Sequence, residues 1–539
     1  MKHLWFSLTE VSLSLPFLEE VLLDKLILGD NKLDVPSLEY ASRNVVQVEL
    51  SSLARNKIDN CRCKVEQISE ADRPIYGLNT GFGSLAQVKI PNNDLSQLQA
   101  NLIHSHTAAV GDSLPLDVVK GAMILRANAL ANGYSGLRSE VVDLMLMMVN
   151  CNIIPSVPMW GSVGASGDLA LLSTIAGCMM KSNEQYDVFR LVGGIWLSET
   201  AEKAFRVSGL KPVNLLAKEG LALNNGCQVS TSMAALALAD GIKALRTWDI
   251  ASALSSQALL ANSSPFDARI SIARPHPGQI RQSNVMRALL KGSKLIDADK
   301  SKIQDAYSIR CIPQVGGAVR DAINYAKNTI EIEMNASTDN PLIFDEVISG
   351  GNFHGAPIAL VSDLLSIAFT DLASMSERRT FRLVTRNLSG LPSFLTSDPG
   401  LSSGLMVPQY TAASLVSACK VLSHPASVDS IPTCENQEDH VSMAPISAWK
   451  LRQVVNNLSW VVSIELLTAS QAIELRLKEM NVNSSALSES TLKAFKTIRQ
   501  IVPFISYDQP LTPHLDKIHR LITSEALFDD VLNLWDDPV

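Results

Sequence analysis

The chain has 539 residues, of which 46% are hydrophobic and only 5% aromatic, so a large core must be built mainly from aliphatic side chains. The 46 basic and 54 acidic residues give a formal charge of −8, and the sequence contains no basic block. This composition argues against a phosphate-binding surface and therefore against a nucleic-acid partner.

The first 20 residues, MKHLWFSLTEVSLSLPFLEE, begin apolar but contain three acidic residues, and no small-residue cleavage site follows. We therefore expect no signal peptide. The runs VVDLMLMMV and LALLSTIAGCMM are too short to span a bilayer, so no membrane segment is expected. Eight scattered cysteines lack zinc-ligand spacing, which favours reduced thiols in a cytoplasmic protein with no metal site.

Helical spacing dominates the predicted elements. In chain order, PLDVVKGAMILRANALANG predicts a helix that stops at Gly133, and YDVFRLVGGIWLS predicts a hairpin that turns at Gly193-Gly194. Residues 227–261 contain no proline and are apolar nearly all round, which is typical of a long buried helix. A second small hairpin is predicted at LIFDEVISGG, and two more long helices at 357–385 and 445–480.

These elements predict a mainly α protein with a long central helical bundle and a smaller mixed N-terminal part. We place the division between residues 1–225 and 226–539. Helices that are apolar on every side also favour an oligomer, because partner chains would be needed to cover them.

The stretch GSVGASGDLA, residues 161–170, concentrates very small side chains in one place. In a bent backbone the Gly167 nitrogen could approach the Ala165 carbonyl carbon, because neither residue carries a bulky side chain. Attack with loss of water would close a five-membered ring, and loss of the Ser166 hydroxyl as a second water would leave an exocyclic methylene. The helical run that starts after Asp168 would place its positive dipole end near this electrophile.

This stretch resembles the signature of the ammonia-lyases and aminomutases that carry a 4-methylidene-imidazol-5-one (MIO) group. Further blocks of this chain are similar to that family in the same order: YGLNTGFG, LALNNGCQ, SPFDARI, QDAYSIRCIPQ, DNPLIF, ISGGNFHGAP and NQEDHVSM. The resemblance extends from about residue 76 to residue 443 and implies that MIO forms from Ala165, Ser166 and Gly167, with no external cofactor.

The resemblance identifies Tyr76 as the catalytic base that removes the β-proton of the substrate. Because a phenol has a pKa near 10, we expect an electropositive setting for Tyr76. Gly77, Gly81 and Gly83 are expected to make its loop flexible, as a lid would be.

Five further residues receive roles from the resemblance alone. Asn225 and Tyr307 match residues near the prosthetic group, and Arg310 matches the arginine that binds the substrate carboxylate. Gln304 matches a polar residue of the same pocket, and Phe353 matches an aromatic residue beside the ring.

Two features indicate the substrate. In NLIHSHTAAVG the pair Ser105-His106 occupies the position that faces the substrate side chain, where histidine-specific members resemble Ser-His and aromatic-specific members Phe-Leu or His-Leu. His104 lies one position earlier and is not part of the pair. Glu438 in NQEDHVSM is the second feature, because a carboxylate can pair with an imidazole N–H. A structural His106–Glu438 pair is the alternative interpretation.

The resemblance implies deamination of L-histidine to trans-urocanate and ammonia, the first step of histidine breakdown. It also implies a homotetramer with shared active sites, in which Tyr76 comes from a neighbouring chain. Three departures from the family pattern, at Leu171, Thr174 and Ala306, leave the rate and the exact substrate open. The segment before the tyrosine loop is also longer than in compact members of the family.

Four alternatives remain. An aminomutase would use the same ring and base but return the amine to the β-carbon, and a tyrosine or phenylalanine ammonia-lyase would need a different selector pair. A helical protein kept only for assembly is disfavoured by the intact Ala-Ser-Gly and by both tyrosines. The fumarase–aspartase group is disfavoured because its Gly-Ser-Ser loop is absent.

Overall fold

The computed structural model describes residues 25–69, 74–524 and 527. The expectation about a signal peptide concerns residues outside these ranges. The α-helices are α1 (Val35–Arg43), α2 (Ser52–Ser69), α3 (Leu95–His106), α4 (Leu116–Ala131), α5 (Ser139–Asn150), α6 (Leu169–Met179), α7 (Ala201–Ser208), α8 (Glu219–Asn224), α9 (Gln228–Ala258), α10 (Ala268–Ala273), α11 (Pro277–Leu290), α12 (Tyr307–Arg310), α13 (Ile312–Met334), α14 (Ala356–Val384), α15 (Arg386–Ser389), α16 (Met406–Leu422), α17 (Ala444–Glu479), α18 (Glu489–Ile501) and α19 (Thr512–Thr523).

Short strands accompany the helices. They are β1 (Lys25–Leu28), β2 (Gln47–Leu50), β3 (Val110–Ser113), β4 (Ile153–Pro155), β5 (Pro158–Trp160), β6 (Asp187–Val192), β7 (Ile195–Thr200), β8 (Leu342–Ile343) and β9 (Val347–Ile348). β1 and β2 pair in parallel, whereas β3–β5, β4–β6–β7 and β8–β9 pair antiparallel. The mainly α class is confirmed.

The predicted elements are confirmed, with small shifts at their ends. The first hairpin is β6–β7, where Val192 pairs with Ile195 across Gly193-Gly194, and the second is β8–β9. The three long predicted helices are α9, α14 and α17. Local chemistry sets other boundaries: α7 begins where the Thr200 side chain accepts a hydrogen bond from the Lys203 N–H, and it ends at Gly209 (φ 68°).

The described chain forms two compact units, of which the first comprises the described residues from 25 to 236 together with 329–360 and 426–448. It contains all the strands, helices α1 to α8 and the Ala165-Ser166-Gly167 turn. α4 is buried almost throughout its length, from Val118 to Ala131, so it forms a central core helix of this unit. The sequence predicted one boundary, at residue 225. In the structure the first unit also includes the later segments 329–360 and 426–448, which contain Phe353 and Glu438.

The second unit comprises residues 237–328, 361–425 and the described residues from 449 onward, and it is helical. Its core is aliphatic, as the composition predicts. Along α17, Leu451, Val454, Leu458 and Val461 recur at helical spacing, and all four are fully buried.

Two helices, α14 and α17, are long and apolar enough to cross a membrane by length and composition alone. In their most apolar windows, 61% and 83% of the residues are buried inside the structure. Burial of this extent is typical of core helices, so their composition is accounted for by packing.

Candidate active site

The Ala165-Ser166-Gly167 turn lies between β5 and α6 and is sharply bent. Gly164, Ser166 and Gly167 all have positive φ, at 79°, 53° and 80°. Ser162 closes the bend, because its hydroxyl donates to the Gly167 carbonyl (2.8 Å) and accepts from the Gly164 N–H (2.9 Å). A serine in the left-handed region is uncommon outside sites that need it, so the surrounding structure imposes this bend.

The backbone at Gly226 packs against the turn and hydrogen-bonds to it. Gly167 forms a β-bridge with Gly226, and the Asp168 N–H donates to the Gly226 carbonyl (2.7 Å). A Cβ on Gly167 would lie only 2.1 Å from that carbonyl oxygen. Glycine at 167 is therefore required by this close approach as well as by its φ.

Asp168 links the turn to the start of α9. Its buried carboxylate accepts hydrogen bonds from the Ser230 N–H (2.8 Å) and the Ser230 hydroxyl (2.5 Å). Burial raises the pKa of Asp168 to about 6, against the hydrogen bonds from Ser230 that favour the charged form. Because α6 begins at Leu169, the turn also lies at the positive end of that helix dipole.

The turn opens onto a cavity of about 450 Å³ within the first unit. Six of the predicted site residues line it together: Tyr76, Ser105, His106, Ser166, Asn225 and Glu438. They come from five separate segments of the chain. Apolar side chains complete the wall, including Leu102, Leu169 and Leu221. The cavity is therefore largely apolar with a few convergent polar groups, as small-molecule sites usually are.

Tyr76 lies in this cavity in the same chain as Ser166, so the expectation that a neighbouring chain supplies it is wrong. The Gly83 N–H donates to its hydroxyl (3.4 Å), and Phe82 packs edge-on against its ring. The expected electropositive setting is not provided by the single chain either. Burial raises the pKa of Tyr76, the Glu438 carboxylate raises it further, and the Gly83 N–H only partly opposes them.

Close packing explains the glycine at position 83 better than loop mobility does. A Cβ there would lie 2.4 Å from the sulfur of Cys434, and Gly83 has φ 56°. The Cys434 sulfur also accepts a hydrogen bond from the Ser84 N–H (3.3 Å). Cys434 was missed by the sequence analysis, although it lies two residues before the NQEDHVSM block.

Ser105 and His106 form a hydrogen-bonded pair at the end of α3. The Ser105 hydroxyl donates to the Leu102 carbonyl (3.1 Å) and lies 3.1 Å from His106 Nδ1. If the Ser105 proton is engaged by Leu102, Nδ1 of the neutral ring carries the ring proton and Nε2 is left as an acceptor. Burial lowers the pKa of His106, and the charge of Glu438 opposes that shift only in part.

His104 occupies a different environment, as predicted. Its Nδ1 lies 3.2 Å from the Tyr186 hydroxyl, and its Nε2 lies 3.1 Å from the Ser182 hydroxyl. Both ring nitrogens are engaged, and His104 does not line the cavity.

Glu438 contacts the turn itself. The Ser166 hydroxyl donates to Glu438 Oε1 (3.1 Å), and the Thr433 hydroxyl donates to Oε2 (2.7 Å). The structure gives no hydrogen bond between Glu438 and His106 among the described residues, so the alternative of a structural pair is not supported. Asn225 caps the end of α8, and within the described chain its buried side-chain oxygen has no partner. A buried amide oxygen without a partner fits a place where another polar group binds.

The remaining predicted residues lie elsewhere. The Phe353 carbonyl accepts a hydrogen bond from the Cys227 thiol (2.8 Å), but Phe353 does not line the cavity. Gln304 and Arg310 line a separate cavity of about 410 Å³ in the second unit. Tyr307 is 70% exposed, and the Arg310 guanidinium lies 4.5 Å from the centre of its ring.

The amino-acid sequence is similar to those of known lyases. The sequence profile of the aromatic amino acid lyase family matches residues 33–500. The chain is 47% identical to histidine ammonia-lyase from Caldanaerobacter subterraneus subsp. tengcongensis, covering 84% of this chain and 88% of that protein. It is 44% identical to histidine ammonia-lyase from Alkaliphilus oremlandii, covering 94% and 98%.

Solved structures give the same result. Histidine ammonia-lyase from Trypanosoma cruzi superposes with a TM-score of 0.86 at 37% identity over 95% of both chains. Tyrosine aminomutase from Streptomyces globisporus superposes with a TM-score of 0.88 at 32% identity, covering 95% of this chain and 99% of that one. Fold and site thus define an enzyme of the lyase class. The chain belongs to the aromatic amino acid lyase family.

Proposed function

We propose that this enzyme is a histidine ammonia-lyase, which converts L-histidine to trans-urocanate and ammonia. The observation that carries the proposal is the meeting of Ser166, the Ser105-His106 pair and Glu438 in one cavity. The identities of 41–47% to relatives named histidine ammonia-lyase support the same substrate.

The Ala165-Ser166-Gly167 turn fits the formation of MIO. Its residues are small, its backbone is bent, and the Ser166 hydroxyl faces a carboxylate acceptor in Glu438. The Gly167 nitrogen would bond to the Ala165 carbonyl carbon with loss of one water, and Ser166 would lose its hydroxyl and an α-hydrogen as a second. When formed, the group supplies an electrophile for the substrate amine.

The chain's own residues would orient the substrate and move its proton. His106 Nε2 would accept the imidazole N–H of the substrate, and Glu438 would lie close enough to pair with that ring. A phenyl ring would offer His106 Nε2 no hydrogen-bond donor, which discriminates strongly against phenylalanine. Tyr76 would accept the β-proton, and Asn225 would donate to or accept from the groups bound beside Ser166.

Arg310 is the proposed partner of the substrate carboxylate, because its guanidinium offers a planar fork of donors. Within the described chain its Nε is buried without a partner. We place Arg310, Tyr307, Gln304 and Phe353 in active sites shared between the chains of a homotetramer. A guanidinium from another copy would also supply the positive charge that the Tyr76 environment lacks.

An apolar stripe on α14 supports assembly. Leu360, Leu364 and Ile367 follow one another at helical spacing and are 59%, 36% and 50% exposed. An apolar stripe of this kind on a long helix is usually covered by a partner. We further propose a cytoplasmic location, which suits the eight free cysteines of the described chain.

The test is product analysis by NMR after incubation with L-histidine, followed by a panel of aromatic amino acids. The proposal expects urocanate and ammonia, with histidine far preferred over tyrosine and phenylalanine. The likeness to tyrosine aminomutase makes a β-amino acid product the main alternative. Formation of β-histidine, or preference for tyrosine, would contradict the proposal.

A further inference from the structure

The helix that carries Tyr307 and Arg310 is a single turn, α12, and it needs support from outside. Its backbone forms three hydrogen bonds, from the Ile309 and Arg310 N–H groups to the Ala306 carbonyl (both 3.0 Å) and from the Cys311 N–H to the Tyr307 carbonyl (2.9 Å). On its C-terminal side α12 joins α13 through Cys311. A single turn contributes little stability of its own, so side-chain contacts from the core help to fix the direction in which α12 presents its side chains.

Arg379 on α14 is the side chain that reaches α12 from the core of the second unit. It is fully buried, and its Nη1 donates to the Ser308 carbonyl (3.3 Å). Ser308 lies within α12, directly after Tyr307.

The rest of the Arg379 guanidinium is held rigidly. Its Nε and Nη2 donate to the two carboxylate oxygens of Glu465 at 2.6 and 2.9 Å. Glu465 is fully buried as well, and it accepts hydrogen bonds from Ser255 (2.7 Å) and Ser376 (2.6 Å). The guanidinium also lies over the ring of Trp248, 4.6 Å from its centre. Because Nε and Nη2 are bound to Glu465, the position of Nη1 is fixed as well. Nη1 in turn holds α12 through the Ser308 carbonyl.

We propose that Arg379 is a positioning residue for substrate binding, which fixes α12 so that Arg310 meets the substrate carboxylate. The inference rests on the proposed function, because it takes the carboxylate role of Arg310 from there. A buried ion pair adds little net stability, but its hydrogen bonds hold the paired side chains in one position. Rigid support of this kind is what a bidentate carboxylate site requires.

The experiment uses Arg379→Lys in the full-length enzyme. Lysine keeps the positive charge beside Glu465 but loses the planar fork, so it cannot hold Glu465 and Ser308 at the same time. Arg320→Lys is the matched control: Arg320 is another buried arginine of the same unit, paired with Asp249 and Gln282, and it makes no described contact with α12. The readouts are kcat and KM for L-histidine, and inhibition by imidazolepropionate and by histamine, which lacks a carboxylate.

For Arg379→Lys we expect a rise in KM of roughly tenfold, corresponding to the loss of one well-placed charged contact. Inhibition by imidazolepropionate should weaken by a similar factor, whereas inhibition by histamine should change less than twofold. Arg320→Lys should leave the KM and both inhibition constants within twofold of the wild type, even where it lowers the melting temperature.

Equal changes for both inhibitors, or an equal rise of KM in both variants, would overturn the positioning role and leave only a general loss of stability. An unchanged KM in Arg379→Lys would overturn it too. If Arg379→Lys proves unfolded by circular dichroism, Ser255→Ala and Ser376→Ala loosen Glu465 more mildly and must show the same split between the two inhibitors. Failure of the proposed function is separable, because the wild-type enzyme would then form no urocanate.

Discussion

Ser166 combines an unusual backbone conformation with a hydrogen bond to a carboxylate. Its φ of 53° lies in the left-handed region, and its hydroxyl donates to the Glu438 carboxylate at 3.1 Å. Holding a non-glycine residue there costs on the order of 1 kcal/mol, which the neighbouring hydrogen bonds must offset. The bend is therefore built by the fold before any covalent change.

Where they lie in family blocks of the first unit, several residues that the sequence predicted for the site line one cavity, and their roles stay predictions. Tyr76, Ser105, His106, Asn225 and Glu438 come together because their segments pack around one turn. The same reasoning failed to place Tyr76 in the correct chain, because a motif does not show which chain its loop packs against. It also missed Cys434, whose contact with Gly83 depends on folding two distant loops together.

At the residue scale, His106→Leu should change the substrate preference. Leucine removes the acceptor for an imidazole N–H and leaves an apolar surface that tolerates a phenyl ring. We expect kcat/KM for histidine relative to phenylalanine to fall by about 100-fold or more. Steady-state kinetics on both amino acids measure this ratio.

The matched control is His104→Leu, two residues earlier on the same helix. Its loss removes contacts to Tyr186 and Ser182 and should lower stability without changing the ratio. An equal change of preference in both variants, or none in His106→Leu, would show that His106 does not select the substrate.

The elements of the molecule divide into those that periodicity predicts and those that it does not. The long helices α9, α14 and α17 follow from apolar spacing, and the β6–β7 hairpin follows from Gly193-Gly194. The turn at Cys434, Glu435 and Asn436 could not be predicted, because all three have positive φ without a glycine. A local hydrogen bond from Thr433 to Glu438 and the packing of the distant Gly83 against Cys434 both hold this conformation.

Asp168, which links the Ala-Ser-Gly turn to α9, should make the stability of the protein depend on pH. The pKa of Asp168 is raised from 3.8 to about 6 in the folded chain. Its contribution to stability is therefore fully present below pH 3.8 and is lost as the pH rises through 6, by up to about 3 kcal/mol. Asp168→Asn removes this titration while keeping the shape of the side chain.

We expect the wild-type enzyme to lose stability relative to Asp168→Asn as the pH rises from about 4 to about 6.5. Urea denaturation of both proteins at several pH values gives the difference in unfolding free energy. A difference that is constant across this range, or one that grows in favour of the wild type, would contradict the buried and partly desolvated state of Asp168.

At the scale of the whole molecule, the proposed site residues divide between the two units of the chain. Ser166 and Tyr76 line one cavity of the first unit, whereas Arg310 lines a cavity of the second. No spacing in a single sequence shows which copy supplies a residue, so this part of the site could not be predicted from residues alone. The exposed apolar stripe on α14 supports the proposed assembly of several copies.

Shared active sites predict that two inactive variants rescue each other. Co-expression of Ser166→Ala with Arg310→Met should form mixed tetramers in which some sites receive both intact residues. With random assembly, about a quarter of the wild-type activity should return. Activity is measured on the purified mixture after light scattering has confirmed four chains.

The control is co-expression of Ser166→Ala with Tyr76→Phe. Because both residues line the same cavity of one chain, no mixed site contains both intact, and activity should stay at the level of the separate variants. Recovery in this control, or none in the Arg310 pair, would contradict the proposed division of the site between chains.

The proposed chemistry requires Ala165, Ser166 and Gly167 to condense with each other and form the reactive group. Mass spectrometry of the peptide that contains residues 161–170, from active wild-type enzyme, shows whether they have done so. We expect this peptide to be lighter by two waters and every other peptide to have its full mass. A peptide of full mass with the Ser166 hydroxyl intact, in enzyme that still deaminates histidine, would contradict it.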